Sequence, residues 1–260
     1  MNDTLYGKFK IIKLIEKTKY NQLYLVYNKE QEINAVAKIT DIKNRESHLL
    51  KVLKHDNIVK LYEDFIMDGK KNLIIEYLPG GDLYSMLPYI NEENIDNFFI
   101  QLLEGLQYIH SQGVAHRDIK PENIMYDGEL NMKFIDFGLS CQIGQYRIFD
   151  GKICGTLPYM PPELFDSKNN VIMNLFAIDI WALGIVFMMM IIKQFPWEVA
   201  KPKESKHYRM YIEGDFTMSY WNDVNPKYID TIKMMLNNCP FKRGNIQEVI
   251  DKFKQIDNIK

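Results

Sequence analysis

The chain has 260 residues, enough for one large domain or two small lobes, and its 47% hydrophobic and 25% charged residues are ordinary for a globular protein. A net charge of -2 gives no support to binding of nucleic acid or of a membrane surface. The three cysteines lack Cys-x-x-Cys spacing and the first residues lack the apolar core of a signal peptide, so we expect an intracellular protein, cytoplasmic or nuclear, without disulfides or zinc.

The first 78 residues predict a small antiparallel sheet with one helix. Apolar runs are separated by polar segments, which is typical of antiparallel strands. Glu46–Lys54 instead carries apolar residues at positions 49, 50, 52 and 53, the stripe of a short amphipathic helix. The predicted strands are Lys10–Ile15, Leu23–Asn28, Ile33–Thr40, Ile58–Phe65 and Asn72–Tyr77.

A breaker cluster, Pro79-Gly80-Gly81, ends this part, and the pattern behind it is mostly helical. Ile180–Ile192 is free of charge, and its thirteen residues are too few to span a bilayer, so it predicts a fully buried helix rather than a membrane segment. The predicted helices are Asn94–Gln112, Phe176–Lys193, Ser205–Glu213, Pro226–Leu236 and Gln247–Ile256.

Two polar motifs lie close together in the helical part. Residues 116–123 read His-Arg-Asp-Ile-Lys-Pro-Glu-Asn, and Asp136-Phe137-Gly138 begins thirteen residues after Asn123. Two carboxylates, an amide and a lysine suit gripping a divalent metal, orienting a hydroxyl and moving a phosphoryl group. Phosphoryl transfer needs mainly positioning and charge stabilisation from a protein. The plainer interpretation is a polar turn between two strands.

These motifs resemble the catalytic loop and the metal loop of eukaryotic protein kinases, and the resemblance extends over residues 7–256. It implies an α+β, two-lobed protein kinase fold in a single domain, 1–260. Residues 1–78 would form a small antiparallel β-sheet lobe with one regulatory helix, 79–81 the end of the hinge, and 82–260 a mostly helical lobe.

The resemblance assigns a role to each residue of the two motifs. Asp118 would accept the proton of the substrate hydroxyl or orient that hydroxyl, and Lys120 would reach the transferred phosphoryl group. Asn123 and Asp136 would hold Mg²⁺, with Mn²⁺ as the other suitable ion, between the phosphates of ATP. A lysine at position 120 implies serine/threonine rather than tyrosine specificity.

Lys38 ends the run Ala35-Val36-Ala37-Lys38 on a predicted strand, as the family's phosphate-gripping lysine does. Glu46 follows eight residues later, at the start of the amphipathic helix. The resemblance implies an ion pair between Lys38 and Glu46 that orients the lysine onto the nucleotide. The family spacing is longer, so the front of the helix is expected to be trimmed. A lysine and a glutamate at this spacing in isolation would be surface charges.

The nucleotide site is also assigned by the resemblance. Ile75 takes the gatekeeper position, and the backbone at Glu76 and Leu78 would bond the adenine edge. Asp82 would meet the ribose or a basic substrate side chain, and the bulky Val36 is expected to crowd the base. The full predicted set is Ile15, Leu23, Val36, Lys38, Ile75, Glu76, Leu78, Asp82, Met125 and Asp136.

The phosphate-covering loop departs from the family. Glycine is expected at positions 16, 18 and 21, which hold Glu16, Thr18 and Asn21. Glycine reaches φ > 0 freely and lets backbone N–H groups approach phosphate, whereas β-branched Thr does not adopt φ > 0. The loop is therefore expected to bind ATP more weakly or to take another shape. This departure is the reason to keep a pseudokinase, a scaffold binding nucleotide or partners, as the alternative function.

Residues 155–163, Gly-Thr-Leu-Pro-Tyr-Met-Pro-Pro-Glu, resemble the family's substrate loop, and with Phe195-Pro196-Trp197 they look most like the calmodulin-dependent and checkpoint kinase group. Protein substrates bearing Ser or Thr are therefore expected, rather than small molecules, and the protein is expected to be monomeric. Glu122 and Asp82 fit a preference for basic residues near the acceptor. The predicted contacts are Thr156 with Asp118 and Lys120, Glu163 with Arg243, and Asp179 with the backbone of the catalytic loop.

The loop between Ser140 and Thr156 has few residues that could be phosphorylated. No Ser or Thr occurs between Ser140 and Thr156, where Tyr146 is the sole hydroxyl residue. We therefore expect this loop to be ordered without phosphorylation, with Asp150 standing in for the phosphate that Arg117 ordinarily meets.

Overall fold

The structure, a computed structural model, describes residues 4–5, 7–142, 146–148, 155–166 and 172–255. A six-stranded sheet comes first, and every neighbouring pair of its strands is antiparallel. The order across the sheet is β1-β2-β3-β4-β6-β5. The strands are β1 (Thr4–Leu5), β2 (Phe9–Lys17), β3 (Gln22–Asn28), β4 (Ile33–Asp41), β5 (Leu61–Met67) and β6 (Lys70–Glu76).

One face of this sheet carries a small core of its own. Its fully buried members are Phe9, Val26, Ala35, Ala37 and Ile74. Because side chains alternate between the two faces of a strand, Val36 and Lys38 lie on the opposite face of β4 from the two alanines. The sheet thus buries its apolar face and leaves the other face for the cleft.

The strand predicted at Ile58–Phe65 begins later, at Leu61. The residues before it leave the sheet and pair with a later part of the chain. Val59 N donates to Phe134 O at 3.0 Å, and Phe134 N donates to Asn57 O at 2.9 Å. The apolar residues Ile58 and Val59 therefore belong to the contact between the sheet and the helical part. Their sequence pattern cannot be distinguished from that of a strand.

Helices make up most of the rest. α1 (Glu46–Val52) lies within the sheet lobe, and the others follow the hinge. Five of the longer helices begin with an Asn or Ser whose side chain accepts a backbone N–H of the first turn, as helix N-caps do. The later helices are α2 (Leu83–Met86), α3 (Glu92–Ser111), α4 (Glu163–Asp166), α5 (Leu175–Ile192), α6 (Lys206–Glu213), α7 (Pro226–Met235) and α8 (Ile246–Lys254).

Among the described residues, three pairs of short antiparallel strands lie between these helices, and the sequence patterns did not predict them. β7 (Val114–Ala115) pairs with β10 (Cys141–Gln142), and β8 (Ile124–Tyr126) pairs with β9 (Met132–Phe134). β11 (Tyr146–Ile148) pairs with β12 (Ile172–Asn174). The α+β, two-lobed architecture predicted from the sequence is confirmed.

α5 is the central buried helix, as predicted from its apolar run. It has 18 residues with a mean hydropathy of 2.5, so by length and composition it could cross a membrane, and 83% of it is buried inside the protein. The thirteen residues of the apolar run are by themselves too few to span a bilayer, but the helix that contains them is long enough. Apolar residues before Asp179 extend the helix back to Leu175, and Asn174 caps it.

The aromatic centre of the helical lobe provides a test of this packing. Phe99 on α3 is fully buried and stacks on Phe187 of α5 with ring centroids 3.7 Å apart. We predict that Phe99→Ala lowers the free energy of unfolding by about 3–5 kcal/mol, since it removes the ring and leaves a cavity. Phe241→Ala, at a 74% exposed ring, should change it by less than about 0.5 kcal/mol in the same denaturant titration. Equal effects of the two changes would contradict the packing.

Candidate active site

Lys38 lies at the centre of an ion-pair cluster that is buried at Lys38 and Glu46 and partly exposed at Asp136. Its side chain is 6% exposed, and Nζ lies 2.7 Å from Glu46 Oε2 and 2.8 Å from Asp136 Oδ1. The other oxygen of Glu46, Oε1, accepts the backbone N–H of Phe137 at 3.2 Å. The predicted Lys38–Glu46 pair is confirmed. The contact with Asp136, which the sequence did not predict, joins the sheet lobe to the loop that follows β9.

Burial and charge act in opposite directions on this cluster. Burial alone would lower the pKa of Lys38, but the carboxylates of Glu46 and Asp136 raise it above its usual 10.5. Burial raises the pKa of Glu46, and the negative charge of Asp136 raises it further, against the opposing effect of Lys38. The pKa of Asp136 is lowered despite its burial, because Lys38 and the N–H of Gly138 stabilise the carboxylate. The cluster therefore presents a permanently charged ammonium to the cleft.

Asp118 is held by donors from three directions. Its Oδ2 accepts from Asn123 Nδ2 at 2.9 Å and lies 3.0 Å from Lys120 Nζ. Its Oδ1 accepts from Thr156 Oγ1 at 3.1 Å, and Lys120 Nζ also donates to Thr156 Oγ1 at 3.0 Å. The predicted contacts of Thr156 are confirmed. A carboxylate has about four acceptor positions, so among the contacts of the described residues one position of Asp118 remains for a further donor.

The backbone before Asp118 is set by a carboxylate from the core. Asp179 on α5 is 1% exposed, and its two oxygens accept His116 N and Arg117 N, each at 2.8 Å. Arg117 has φ of 71°, an uncommon value for a non-glycine residue. The two bonds hold this strained turn in place. The predicted role of Asp179 is confirmed.

The His116 ring ties the two motif loops together. Its Nε2 lies 3.1 Å from Ile135 O, and its Nδ1 lies 3.4 Å from Asp118 N. This pairing assigns the proton to Nε2, which donates to the carbonyl, while Nδ1 accepts the amide. The sequence analysis gave His116 no role, although it is the first residue of the motif and is fully buried.

The predicted metal ligands present free oxygen atoms. Asp136 uses Oδ1 for Lys38 and for Gly138 N, and Asn123 uses only its Nδ2. In the described part of the chain, Asp136 Oδ2 and Asn123 Oδ1 accept no hydrogen bond, and no group of three His, Cys, Asp or Glu side chains is placed to hold a metal. Two hard oxygens from the protein fit Mg²⁺ or Mn²⁺ that takes its remaining ligands from phosphate and water.

The residues predicted to enclose the adenine share one face of the sheet. Leu23 lies opposite Lys38 across β3 and β4, and Val36 lies opposite Ile75 across β4 and β6. Directly paired residues project to the same face, so these four lie together. Ile15 lies at a bulge in β2 and is 47% exposed, and Met125 on β8 bridges to Asp82.

The backbone N–H of Leu78 is an unused donor in the hinge. Leu78 is 5% exposed, and its backbone N–H makes no hydrogen bond to the residues that the structure describes. A buried N–H without a partner is costly, and the adenine edge predicted to bind here would satisfy it. The Glu76 side chain points elsewhere, to Lys133 Nζ at 3.0 Å. The free N–H of Leu78 fits an adenine edge, and ATP binding at the other predicted positions stays a prediction.

Asp82 has a local task that the sequence analysis did not recognise. Its Oδ1 accepts Ser85 N at 2.8 Å and its Oδ2 accepts Ser85 Oγ at 3.1 Å, so it caps α2. The Asp-x-x-Ser spacing before an apolar run is a sequence signal for such a cap. Contact of Asp82 with a ribose or a basic side chain stays a prediction.

The glycine-less loop closes as a tight hairpin turn between β2 and β3. Thr18 N donates to Asn21 O at 2.9 Å, and Thr18 Oγ1 accepts Tyr20 N at 3.2 Å and Asn21 N at 3.0 Å. No residue between 16 and 21 has a positive φ, so this turn does not need glycine. Two backbone N–H groups at its tip, those of Tyr20 and Asn21, are already bonded to Thr18.

The substrate loop is tied to the helical lobe as predicted. Glu163 and Arg243 form two bonds, Oε1 to Nη1 at 2.6 Å and Oε2 to Nη2 at 2.7 Å. Arg243 is fully buried and its guanidinium lies 4.8 Å from the centre of the Trp181 ring. Gly155 has φ of 104°, and a Cβ there would lie 3.0 Å from Arg117 O, which explains the glycine. Asp150 and Cys154 lie outside the described residues.

Comparison with known proteins agrees with this geometry. The protein kinase domain family matches residues 7–253. The chain belongs to this family. The predicted resemblance to eukaryotic protein kinases is therefore confirmed.

Curated relatives of this kinase domain cover nearly all of it. The serine/threonine-protein kinase cds1 of Schizosaccharomyces pombe is 33% identical over 258 residues, 94% of this chain and 55% of the relative. CBL-interacting serine/threonine-protein kinase 26 of Arabidopsis thaliana is 29% identical over 94% of this chain and 58% of its own length. CBL-interacting protein kinase 31 of Oryza sativa subsp. japonica is 28% identical over 95% and 60%. The chain thus spans little more than half the length of these relatives.

The lowered pKa of Asp136 gives a pH-dependent contribution to stability. A carboxyl group with a depressed pKa stabilises the folded state above its unfolded pKa, and the contribution disappears as the pH falls through the folded value. We predict that Asp136→Asn is less stable than the wild type by a constant amount from pH 8 to about pH 5, and that the difference shrinks below the usual value of 3.8. Thermal unfolding in metal-free buffer across this range measures it. A difference that grows on acidification would contradict the ion pair.

Proposed function

We propose that this chain is an ATP- and Mg²⁺-dependent protein serine/threonine kinase. The observation that carries the proposal is the Asp118 carboxylate, held by Asn123, Lys120 and Thr156 with one acceptor position left. Membership of the kinase family and the names of two relatives as serine/threonine kinases support the same function.

The residues divide the work of phosphoryl transfer. Asp118 orients the attacking hydroxyl and accepts its proton. Lys120, 3.0 Å from Asp118, stabilises the negative charge that develops on the transferred group. Lys38, fixed by Glu46, would orient the phosphates of ATP, and Asn123 and Asp136 would hold the metal. MgATP, when bound, supplies the phosphoryl group.

We also propose that residues 1–260 form a single kinase domain, divided near 79–81, that acts as a monomer in the cytoplasm or nucleus. The family match over residues 7–253 supports the extent of the domain. The cysteine pattern and the balanced charge support a reducing compartment and protein rather than nucleic-acid partners.

A pseudokinase is the second candidate, and one observation favours it. The tip amides of Tyr20 and Asn21 are bonded to Thr18, so the loop offers fewer N–H groups to a phosphate than a glycine loop does. Weak ATP binding would leave a scaffold that binds nucleotide or partners without turnover.

A transfer assay separates the two candidates. We predict that the wild type moves labelled phosphate from saturating ATP to Ser or Thr of a basic protein, with Mg²⁺ or Mn²⁺, and that Asp118→Asn lowers the rate by about 10²- to 10⁴-fold because the proton acceptor is lost. Asp223→Asn, the same change at an exposed site between α6 and α7, should keep full activity. Equal rates for wild type and Asp118→Asn would favour the pseudokinase.

Substrate choice rests, in our proposal, mainly on Glu122. This side chain is exposed, and its Oε2 accepts from Tyr159 Oη at 3.4 Å. Burial and Glu122 raise the pKa of Tyr159, so the hydroxyl stays protonated and keeps the carboxylate in place. Asp82 is occupied as the cap of α2. Glu122 is therefore the available carboxylate for a basic residue next to the acceptor.

Peptide kinetics test this assignment. We predict that Glu122→Gln lowers kcat/KM for a peptide with arginine before the acceptor by roughly fivefold, since an exposed ion pair contributes up to about 1 kcal/mol, and leaves a neutral peptide unaffected. Glu129→Gln, at an exposed turn, is the matched control and should alter neither peptide. An equal loss of kcat/KM for both peptides would contradict the assignment, because Glu122 would then not act through the basic residue of the peptide.

A further inference from the structure

Glu46 occupies an unusual place for a residue that must be fixed. It is the first residue of α1, which has only seven residues, so no helical turn precedes it. The first N–H groups of a helix have no partner within the helix, and isolated helices this short are not stable in water. The N-cap residue Arg45 makes no side-chain capping bond. Another group must therefore hold the start of the helix.

Asn44 supplies that group through its side chain. Its Oδ1 accepts Glu46 N at 2.7 Å, and its Nδ2 donates to Thr40 Oγ1 at 3.3 Å. Thr40 lies on β4, two residues from Lys38, and is 3% exposed. One amide thus links the backbone of Glu46 to the strand that carries its ion-pair partner.

The backbone of Asn44 is anchored as well. Its N–H donates to Asp41 O at 3.0 Å, and its carbonyl accepts from Lys71 Nζ at 3.0 Å. Asp41 ends β4 and Lys71 lies on β6. Asn44 is therefore fixed to two neighbouring strands, while its side chain reaches the first turn of α1.

The Glu46 carboxylate must be placed accurately, because its side chain is 1% exposed and contacts two partners from different parts of the chain. Lys38 lies on the sheet, and Phe137 N lies in the loop after β9. A displacement of about 1 Å in a positioning group can cost up to about 100-fold in rate.

We propose that Asn44 is a positioning residue for the proposed kinase reaction, which replaces the missing front of the helix and sets Glu46 against Lys38. The inference rests on the proposed function for its effect on rate. Its effect on the position of Glu46 does not depend on that function.

Two readouts test the proposal. Asn44→Ala should lower kcat/KM about tenfold, while Asn44→Asp, which keeps the acceptor for Glu46 N, should stay within about threefold of wild type. In a Glu46→Gln background, Asn44→Ala should lower kcat/KM by less than a further factor of about two, because the carboxylate that Asn44 positions is already absent. The second readout is hydrogen exchange at Phe137 N, whose bond to Glu46 Oε1 reports the place of the carboxylate and should exchange faster in Asn44→Ala alone.

Asn245→Ala is the matched control, since Asn245 likewise accepts a backbone N–H, that of Glu248, at the start of α8. It should alter neither kcat/KM nor exchange at Phe137. If Asn44→Ala fails to fold, Thr40→Val takes its place, since it removes the anchor of the Asn44 amide. It should lower kcat/KM and speed exchange at Phe137, each by less than the amount expected for Asn44→Ala.

Unchanged exchange at Phe137, or an equal loss of kcat/KM with and without Glu46, would overturn the positioning role. A wild type without transfer activity, in which exchange still responds to Asn44→Ala, would overturn the proposed function and support the positioning of Glu46.

Discussion

The two ion pairs of the Lys38 ammonium constrain the parts of the chain that meet around it. An ion taken out of water must be paired, and Lys38 is paired twice, to Glu46 from α1 and to Asp136 from the loop after β9. These three residues come from the sheet, from a short helix and from the helical lobe. The ion pairs therefore fix the distance between parts of the chain that hydrophobic packing alone would leave free to shift. Solvent weakens the contact with Asp136, whose side chain is 42% exposed, more than the contact with Glu46.

A second buried charge organises the other side of the cleft. Asp179 lies in an otherwise apolar helix. Its two oxygens each accept a backbone N–H group of the catalytic loop, and Oδ2 also lies 3.0 Å from His110 Nε2. The loop adopts a strained turn at Arg117, which these bonds compensate. Because Asp179 is part of the core helix α5, the stability of the core and the shape of the catalytic loop depend on the same packing.

Periodicity predicted the elements that bury one face, and it failed where a residue serves a contact between distant segments. The strands around Val26 and Ala35 and the helices α3, α5, α6, α7 and α8 were predicted within a few residues. Ile58 and Val59 were assigned to a strand, since nothing local shows that they pair with Phe134. β7 to β12 are two or three residues long, too short for an alternating pattern to appear.

For the site, the motifs identified the residues but not their local partners. Lys38 and Glu46 were paired correctly from the family pattern, while the third member, Asp136, became apparent only from the fold. Asp82 was expected to face a ligand, which stays a prediction, and its capping of α2 became apparent only from the fold. Without glycine, the loop at Thr18 was expected to bind ATP more weakly or to take another shape. The Thr18 hydroxyl closes the turn with ordinary backbone angles.

In the proposed kinase, ATP is held chiefly by Lys38, Asn123 and Asp136 rather than by amides of the covering loop. Calorimetric titration of ATP with and without Mg²⁺ tests this most directly. It should show one saturable site per chain that binds more tightly with Mg²⁺ and is lost in Lys38→Met. No binding at millimolar ATP, or binding that is indifferent to both Mg²⁺ and Lys38→Met, would contradict it.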